Sequence, residues 1–138
     1  MLREQHSDAE LHIAGRDTDT KAFRAQFASG LKVHGLLDKA GVRQLLYECD
    51  ALVLASRSEV QPLVLLEAMS TGIPVIATES VPQNLRIEGG CTIVPIDDAE
   101  ALSRAMMQVM IEPTVNGEEL SEKVRALASP QVVGQRLS

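Results

Sequence analysis

The chain has 138 residues, 45% of them hydrophobic, and a net charge of −6, enough for one domain with an ordinary core and no disulfide staples. With no basic stripe to neutralise phosphates, duplex nucleic acid is excluded as a partner. An aromatic content of 2% without any Trp likewise excludes a stacking platform for single strands.

A core made of Leu, Val, Ile, Ala and Met suits a parallel α/β sheet, whose strands are buried on both faces. The start, MLREQHSDAE, is too charged for a signal peptide. No apolar run is long enough to cross a membrane, which points to a cytoplasmic protein. Residues 9–15 (AELHIAG) read as a strand, 19–28 as a helix stopped near Gly30, and 31–37 (LKVHGLL) as a second strand. Asp38 is placed to cap a helix over 39–49, with Val42, Leu45, Leu46 and Cys49 on one face. ALVLAS (51–56) reads as a fully buried strand. Pro62 fits the first position of the next helix, where its missing N–H costs nothing. Gly72 fits the residue just past that helix, with Pro74 following. PVIAT (74–78) and CTIVPI (91–96) read as two more strands. Asp97 or Asp98 caps a helix over 99–111 with Leu102, Ala105, Met106 and Val109 inward, the methionines filling the core. A final amphipathic helix covers 118–128.

Cys49 and Cys91 lie far apart in apolar contexts and read as buried free thiols of a reducing compartment. No metal-type spacing joins them to His6, His12 or His34. Strand and helix alternate throughout, so the expected architecture is α/β: a Rossmann-like parallel sheet flanked by helices. Ligands of such sheets bind at the carboxyl ends of the strands, and SRSEVQPL (56–63) falls there.

Six of the seven residues from Leu63 to Met69 are apolar, and Glu67 is the exception. The amides of Leu63 and Val64 are unpaired at a helix N-terminus, which favours an anion such as phosphate. Glu67 lies roughly 7–8 Å along the axis from Pro62 at 1.5 Å per residue, on the side of Leu63 and Val64. A carboxylate there can accept from a ribose diol, and Glu59 from a second sugar. That spacing fits a nucleotide sugar. It also fits a plainer arrangement, with Glu59 an ordinary loop carboxylate near a helix start and Glu67 marking the one wet strip of a buried helix beside Ser70 and Thr71.

SRSEVQPLVLLEAMSTGIPVIAT resembles the donor-binding signature of the GT4 family of retaining glycosyltransferases, which have the GT-B fold of two Rossmann-like domains around a cleft. The Glu-x7-Glu pattern with its Gly-x-Pro-Val turn is met by Glu59, Glu67, Ala68, Gly72, Pro74 and Val75. CDALVLAS, IVPIDDAEALSRAM and DAELHIAG also look like the family. The resemblance implies that Glu59 is the catalytic or donor-orienting carboxylate and that Glu67 binds the ribose. It places the Leu63 and Val64 amides on the phosphates, and Leu36, Leu37 and Asp38 along the nucleobase. Ser58, Gln61 and Pro62 line the same donor site, and neither a cofactor nor a metal is expected.

Val60-Gln61-Pro62 departs from the usual Gly-Phe-Gly loop, as TESVPQNL does from a Gly-Gly loop. Gln61 offers an amide side chain, and Pro62 removes one N–H. The Arg and Lys that hold the diphosphate in the family, and the acceptor domain, have no match in this chain. Residues 1–128 are therefore expected to be the donor-binding domain of a longer transferase. Residues 129–138 would cross to a missing N-terminal domain, and the chain alone would have little or no activity. Polysaccharide or glycolipid synthesis, an acceptor glycan or lipid-linked sugar, and peripheral association of the parent with the cytoplasmic membrane face are what the resemblance adds. A GT-B-type nucleotide-sugar epimerase fragment and a non-catalytic α/β binding module are the competing readings.

Overall fold

A computed structural model describes residues 8–16, 20–21, 31–59, 62–112 and 116–127. The elements are β1 (Leu11–Ala14), β2 (Leu31–Gly35), α1 (Lys39–Glu48), β3 (Leu52–Leu54), α2 (Leu63–Ser70), β4 (Val75–Thr78), a 3₁₀ turn (Gln83–Leu85), β5 (Cys91–Val94), α3 (Ala99–Ile111) and α4 (Gly117–Leu127). Apart from Thr20 and Lys21, the helix expected over 19–28 lies outside the described residues, as do the terminal segment 129–138 and Gln61. The chain divides into two compact units, Met1–Leu45 and Leu46–Ser138.

In the first unit β1 and β2 pair in parallel, with Leu11 opposite Leu31 and Ile13 opposite Val33. Glu10 accepts from His12 and pairs with Lys32, both at 3.3 Å. His12, and after it Lys32, holds the Glu10 carboxyl below the usual carboxylate range. His12 and His34, which sequence spacing does not connect, stack with ring centroids 5.2 Å apart and share a hydrogen bond of 2.9 Å. Asp38 caps α1 as expected: its Oδ1 accepts from the Gly41 amide at 2.7 Å. On the expected inner face of α1 only Leu46 is buried, while Val42, Leu45 and the following Cys49 are half-buried.

In the second unit three parallel strands run in the order β3-β4-β5. The central β4 is buried along its whole length. The expectation that β3 is of the fully buried kind is not met: all three of its residues are half-buried, because β3 lies at an edge of this ladder and β4 at its centre. Cys49 and Cys91 are free and also only half-buried. Burial still raises both thiols above the ordinary range, with Asp50 and Glu48 adding to the effect at Cys49 and Arg86 opposing it at Cys91.

Asp98, and not Asp97, caps α3, accepting from the Ala101 amide at 2.9 Å. Leu102, Ala105, Met106 and Val109 face inward but stay half-buried, and no residue of α3 is fully buried. The reason is length. Strands β4 and β5 have four residues each, about 13 Å at roughly 3.3 Å per residue. The 13 residues of α3 span about 20 Å, so its end overhangs the sheet with Met110 and Ile111 exposed.

The core of this unit is α2 and β4. Leu65, Ala68 and Met69 on α2 have no exposed surface, and Val75, Ile76, Ala77 and Val81 join them. Helix α2 ends as its sequence predicts. Gly72 adopts φ +90°, its amide bonds the Met69 carbonyl at 3.0 Å, and the Ile73 amide bonds the Ala68 carbonyl at 3.4 Å. These are the paired bonds of a Schellman motif. Helix α4 then packs on α2 through buried Leu120, Ser121 and Val124, with Ser121 Oγ donating to the Ser70 carbonyl at 2.8 Å. Asn116 caps α4, its Oδ1 accepting from the Glu118 and Glu119 amides at 3.1 and 3.2 Å.

Candidate functional site

Parallel pairing brings the carboxyl ends of β3, β4 and β5 to one edge. Three short segments leave from there: Ser56–Glu59, Thr78–Ser80 and Ile96–Asp97. At the end of β3, Ser56 Oγ donates to Glu59 Oε1 at 2.5 Å, and Glu59 is half-buried. The Ser56 carbonyl accepts from Thr78 Oγ1 at 2.5 Å and from Ser80 Oγ at 3.0 Å. The Thr78 and Ser80 hydroxyls are themselves 2.7 Å apart. Arg57 turns outward, its Nε donating to Asp97 Oδ1 at 2.8 Å; that bond holds the guanidinium still more firmly protonated. Asp97 sits at φ +59°. Ser58 is exposed. The loop after β4 is tied by Arg86, which donates to the carbonyls of Val81 and Glu79 at 3.0 and 2.9 Å.

Helix α2 starts one residue later than expected. Pro62 is its N-cap, with ψ 85° outside the helical range, and the Leu65 amide bonds the Pro62 carbonyl at 3.1 Å. The N–H that proline lacks therefore lies before the helix, and Leu63 and Val64 supply the first two amides. Those amides have no intrahelical partner by helix geometry, and among the described residues the N-cap Pro62 offers no side-chain cap. Pro62 is buried, whereas Leu63 is 57% exposed.

Glu67 projects from the flank of α2 opposite the fully buried Leu65, Ala68 and Met69, in line with Leu63, Val64 and Ser70. It is half-buried, and its carboxylate has no hydrogen-bond or ion-pair partner among the described residues. Leu36, Leu37 and Asp38 lie in the turn after β2, in the other compact unit. Leu36 is 71% exposed, and one Asp38 oxygen is committed to capping α1. Among the described residues no group of three His, Cys, Asp or Glu side chains is arranged for a metal ion, and no helix is long and apolar enough to cross a membrane.

Sequence reasoning singled out Glu59 and Glu67 and placed Ser56 and Arg57 at the ligand edge, but it did not link Ser56 to Glu59, Thr78 and Ser80 or Arg57 to Asp97. One signal was available. ALVLAS and PVIAT both end in a hydroxyl residue, and the two strands lie side by side with Leu54 opposite Ala77.

The parallel strands, flanking helices and strand-end loop define a Rossmann-like half of a GT-B glycosyltransferase fold. Sucrose-phosphate synthase from Thermosynechococcus elongatus superposes over 99% of this chain and 38% of its own, with a TM-score of 0.79 and 24% identity. Anabaena HepE, solved with UDP and glucose, superposes over 99% of this chain and 43% of its own, with a TM-score of 0.71 and 18% identity. The chain belongs to the glycosyl transferases group 1 family, whose model matches residues 1–112.

Among curated relatives, the WcaC glycosyl transferase named for colanic acid biosynthesis in Escherichia coli (strain K12) is 39% identical over 87 residues, 61% of this chain and 20% of WcaC. The N,N'-diacetylbacillosaminyl-diphospho-undecaprenol alpha-1,3-N-acetylgalactosaminyltransferase of Campylobacter jejuni is 29% identical over 115 residues, 83% of this chain and 26% of that enzyme. The chain thus spans between a fifth and about a quarter of the length of these relatives.

Proposed function

We propose that this chain is the donor-binding half of a GT4-type retaining glycosyltransferase and holds a nucleoside-diphosphate sugar at the β3–α2 edge. The observation that carries the reading is the half-buried Glu67 carboxylate, without a hydrogen-bond or ion-pair partner among the described residues, on the same flank as the start of α2. A diphosphate at the Leu63 and Val64 amides leaves a ribose within reach of Glu67. Glu59, held at the end of β3, accepts from hydroxyls of the transferred sugar. Ser58 and Pro62 line the approach.

In the reaction the bond from the anomeric carbon to the diphosphate oxygen breaks, an acceptor hydroxyl oxygen bonds that carbon with configuration kept, and the hydroxyl proton leaves with the departing nucleoside diphosphate. The helix-end amides stabilise the charge that develops on the leaving diphosphate, with no metal required. The net charge of −6 means that local dipoles, and not the field of the whole chain, hold the anionic donor. The names of the curated relatives support a glycan or lipid-linked acceptor in polysaccharide or glycolipid synthesis. The presence of UDP and glucose in HepE supports the donor class.

The test is a titration of the 138-residue protein with UDP, GDP, UDP-glucose and GDP-mannose, followed by amide chemical shifts so that millimolar affinities register. Binding is expected to shift Leu63 and Val64 and to be lost in Glu67→Ala with the fold intact. Binding that survives Glu67→Ala unchanged would overturn the assignment of the ribose site.

A further inference from the structure

The carboxylate at the end of β3 does not stand alone. Glu59 leaves the strand in an irregular loop, where a long side chain has many rotamers, and yet one oxygen is bonded to Ser56 Oγ at 2.5 Å. Ser56 is in turn held from the neighbouring strand. Its carbonyl accepts from the hydroxyls of Thr78 and Ser80, and Thr78 is 4% exposed at the end of the fully buried β4. With one proton each, these hydroxyls can direct both into the Ser56 carbonyl or pass one between themselves. Either way the rigid centre of the sheet is tied to the residue that grips Glu59.

We propose that Ser56 is a positioning residue for Glu59, and that Thr78 and Ser80 fix Ser56 from β4, so that the Glu59 carboxylate meets a bound sugar already oriented. The hydroxyl of Ser56 binds one carboxylate oxygen and leaves the other for the ligand. Such support from a rigid element sets a functional group to the tolerance that binding a sugar needs. Bonds in a linked network also reinforce one another, so removing an outer member loosens the inner one. This role rests on the donor-site reading of Glu59, and Ser56 touches no substrate itself.

The experiment has two arms. In the ligand-free protein, the side-chain carboxyl carbon shift of Glu59 is expected to move in Ser56→Ala, to return towards wild type in Ser56→Thr, and to stay put in Ser103→Ala on α3. In the titration, the ratio of UDP to UDP-glucose dissociation constants (or the GDP pair, if it binds tighter) isolates what the sugar adds. Ser56→Ala is expected to reduce that ratio roughly three- to tenfold, the scale of one net hydrogen bond, with UDP affinity unchanged. Ser56→Thr should restore it, and Thr78→Val should reduce it less. A merely structural Ser56 would weaken UDP and UDP-glucose equally, which would overturn the role. An unmoved Glu59 shift in Ser56→Ala would overturn it as well. If the wild-type chain binds neither nucleotide nor nucleotide sugar, the donor-site reading itself falls and this role with it. Glu67-dependent binding with an unaltered ratio in Ser56→Ala overturns the positioning role alone.

Discussion

Replacing Gly72 with Ala should be among the most damaging single-methyl changes in this chain. Gly72 ends α2 at φ +90°, a conformation that costs a residue with a side chain about 1–3 kcal/mol. The new Cβ would also lie 2.9 Å from the Gly117 carbonyl oxygen and 3.1 Å from the Gly117 carbonyl carbon and Cα. Those are backbone atoms that cannot rotate aside, and forced overpacking adds about 1–3 kcal/mol. The combined loss is about 2–6 kcal/mol, or roughly 6–24 °C in Tm for a domain of this size. Gly89→Ala is the control, because Gly89 has φ +82° but no atom within 4 Å of an added Cβ; it should show the conformational cost alone, about 1–3 kcal/mol. Urea unfolding of the wild type and both variants gives the comparison. If Gly72→Ala is no less stable than Gly89→Ala, the close approach of α4 to the end of α2 is not what the structure portrays. The consequence is also functional, since α2 carries Glu67.

Two further outcomes are expected. Asp98→Ala removes the cap of α3 and should cost about 1 kcal/mol in urea unfolding, while Asp97→Asn, which tolerates the same φ of +59° and removes only the charge of an exposed pair with Arg57, should fall below about half that. Burial raises Cys49 and Cys91 in the folded state. The stability that their neutral thiols contribute is therefore fully present below the ordinary thiol pKa and is lost as pH climbs through the raised values. Thiolate absorbance should accordingly appear at higher pH in the native protein than in the urea-unfolded one, and coincident titrations would contradict this.

Much of the architecture was legible because it is local. Gly72 and Pro74 after a mostly apolar run announce a helix stop, and Asp38 and the Asp97–Asp98 pair announce caps, with Asp38 and Asp98 bonding amides three positions on. Glu67 stood out because a carboxylate in an apolar run is conspicuous by itself, and Glu59 through its spacing to Glu67. The start of α2 was misplaced by one residue because proline satisfies both the N-cap and the first helical position by the same lack of an N–H. Burial was less legible. ALVLAS has the composition of a central strand, but its neighbours decide whether it lies at the centre or the edge, and the overhang of α3 depends on the lengths of strands it meets only after folding.

The sequence by itself determined the order of strands and helices, the helix ends and the two glutamates, because each depends on dihedral preference or on the spacing of residues within one element. The tertiary structure alone decided that Thr78 and Ser80, over twenty residues from Ser56 along the chain, meet its carbonyl. It alone decided that Arg57 finds Asp97 forty residues away and that two glycines bring α2 and α4 within backbone contact. Such contacts join side chains from separate parallel strands and helices. No periodicity within a single element encodes them, and they exist only once the sheet has set those elements side by side.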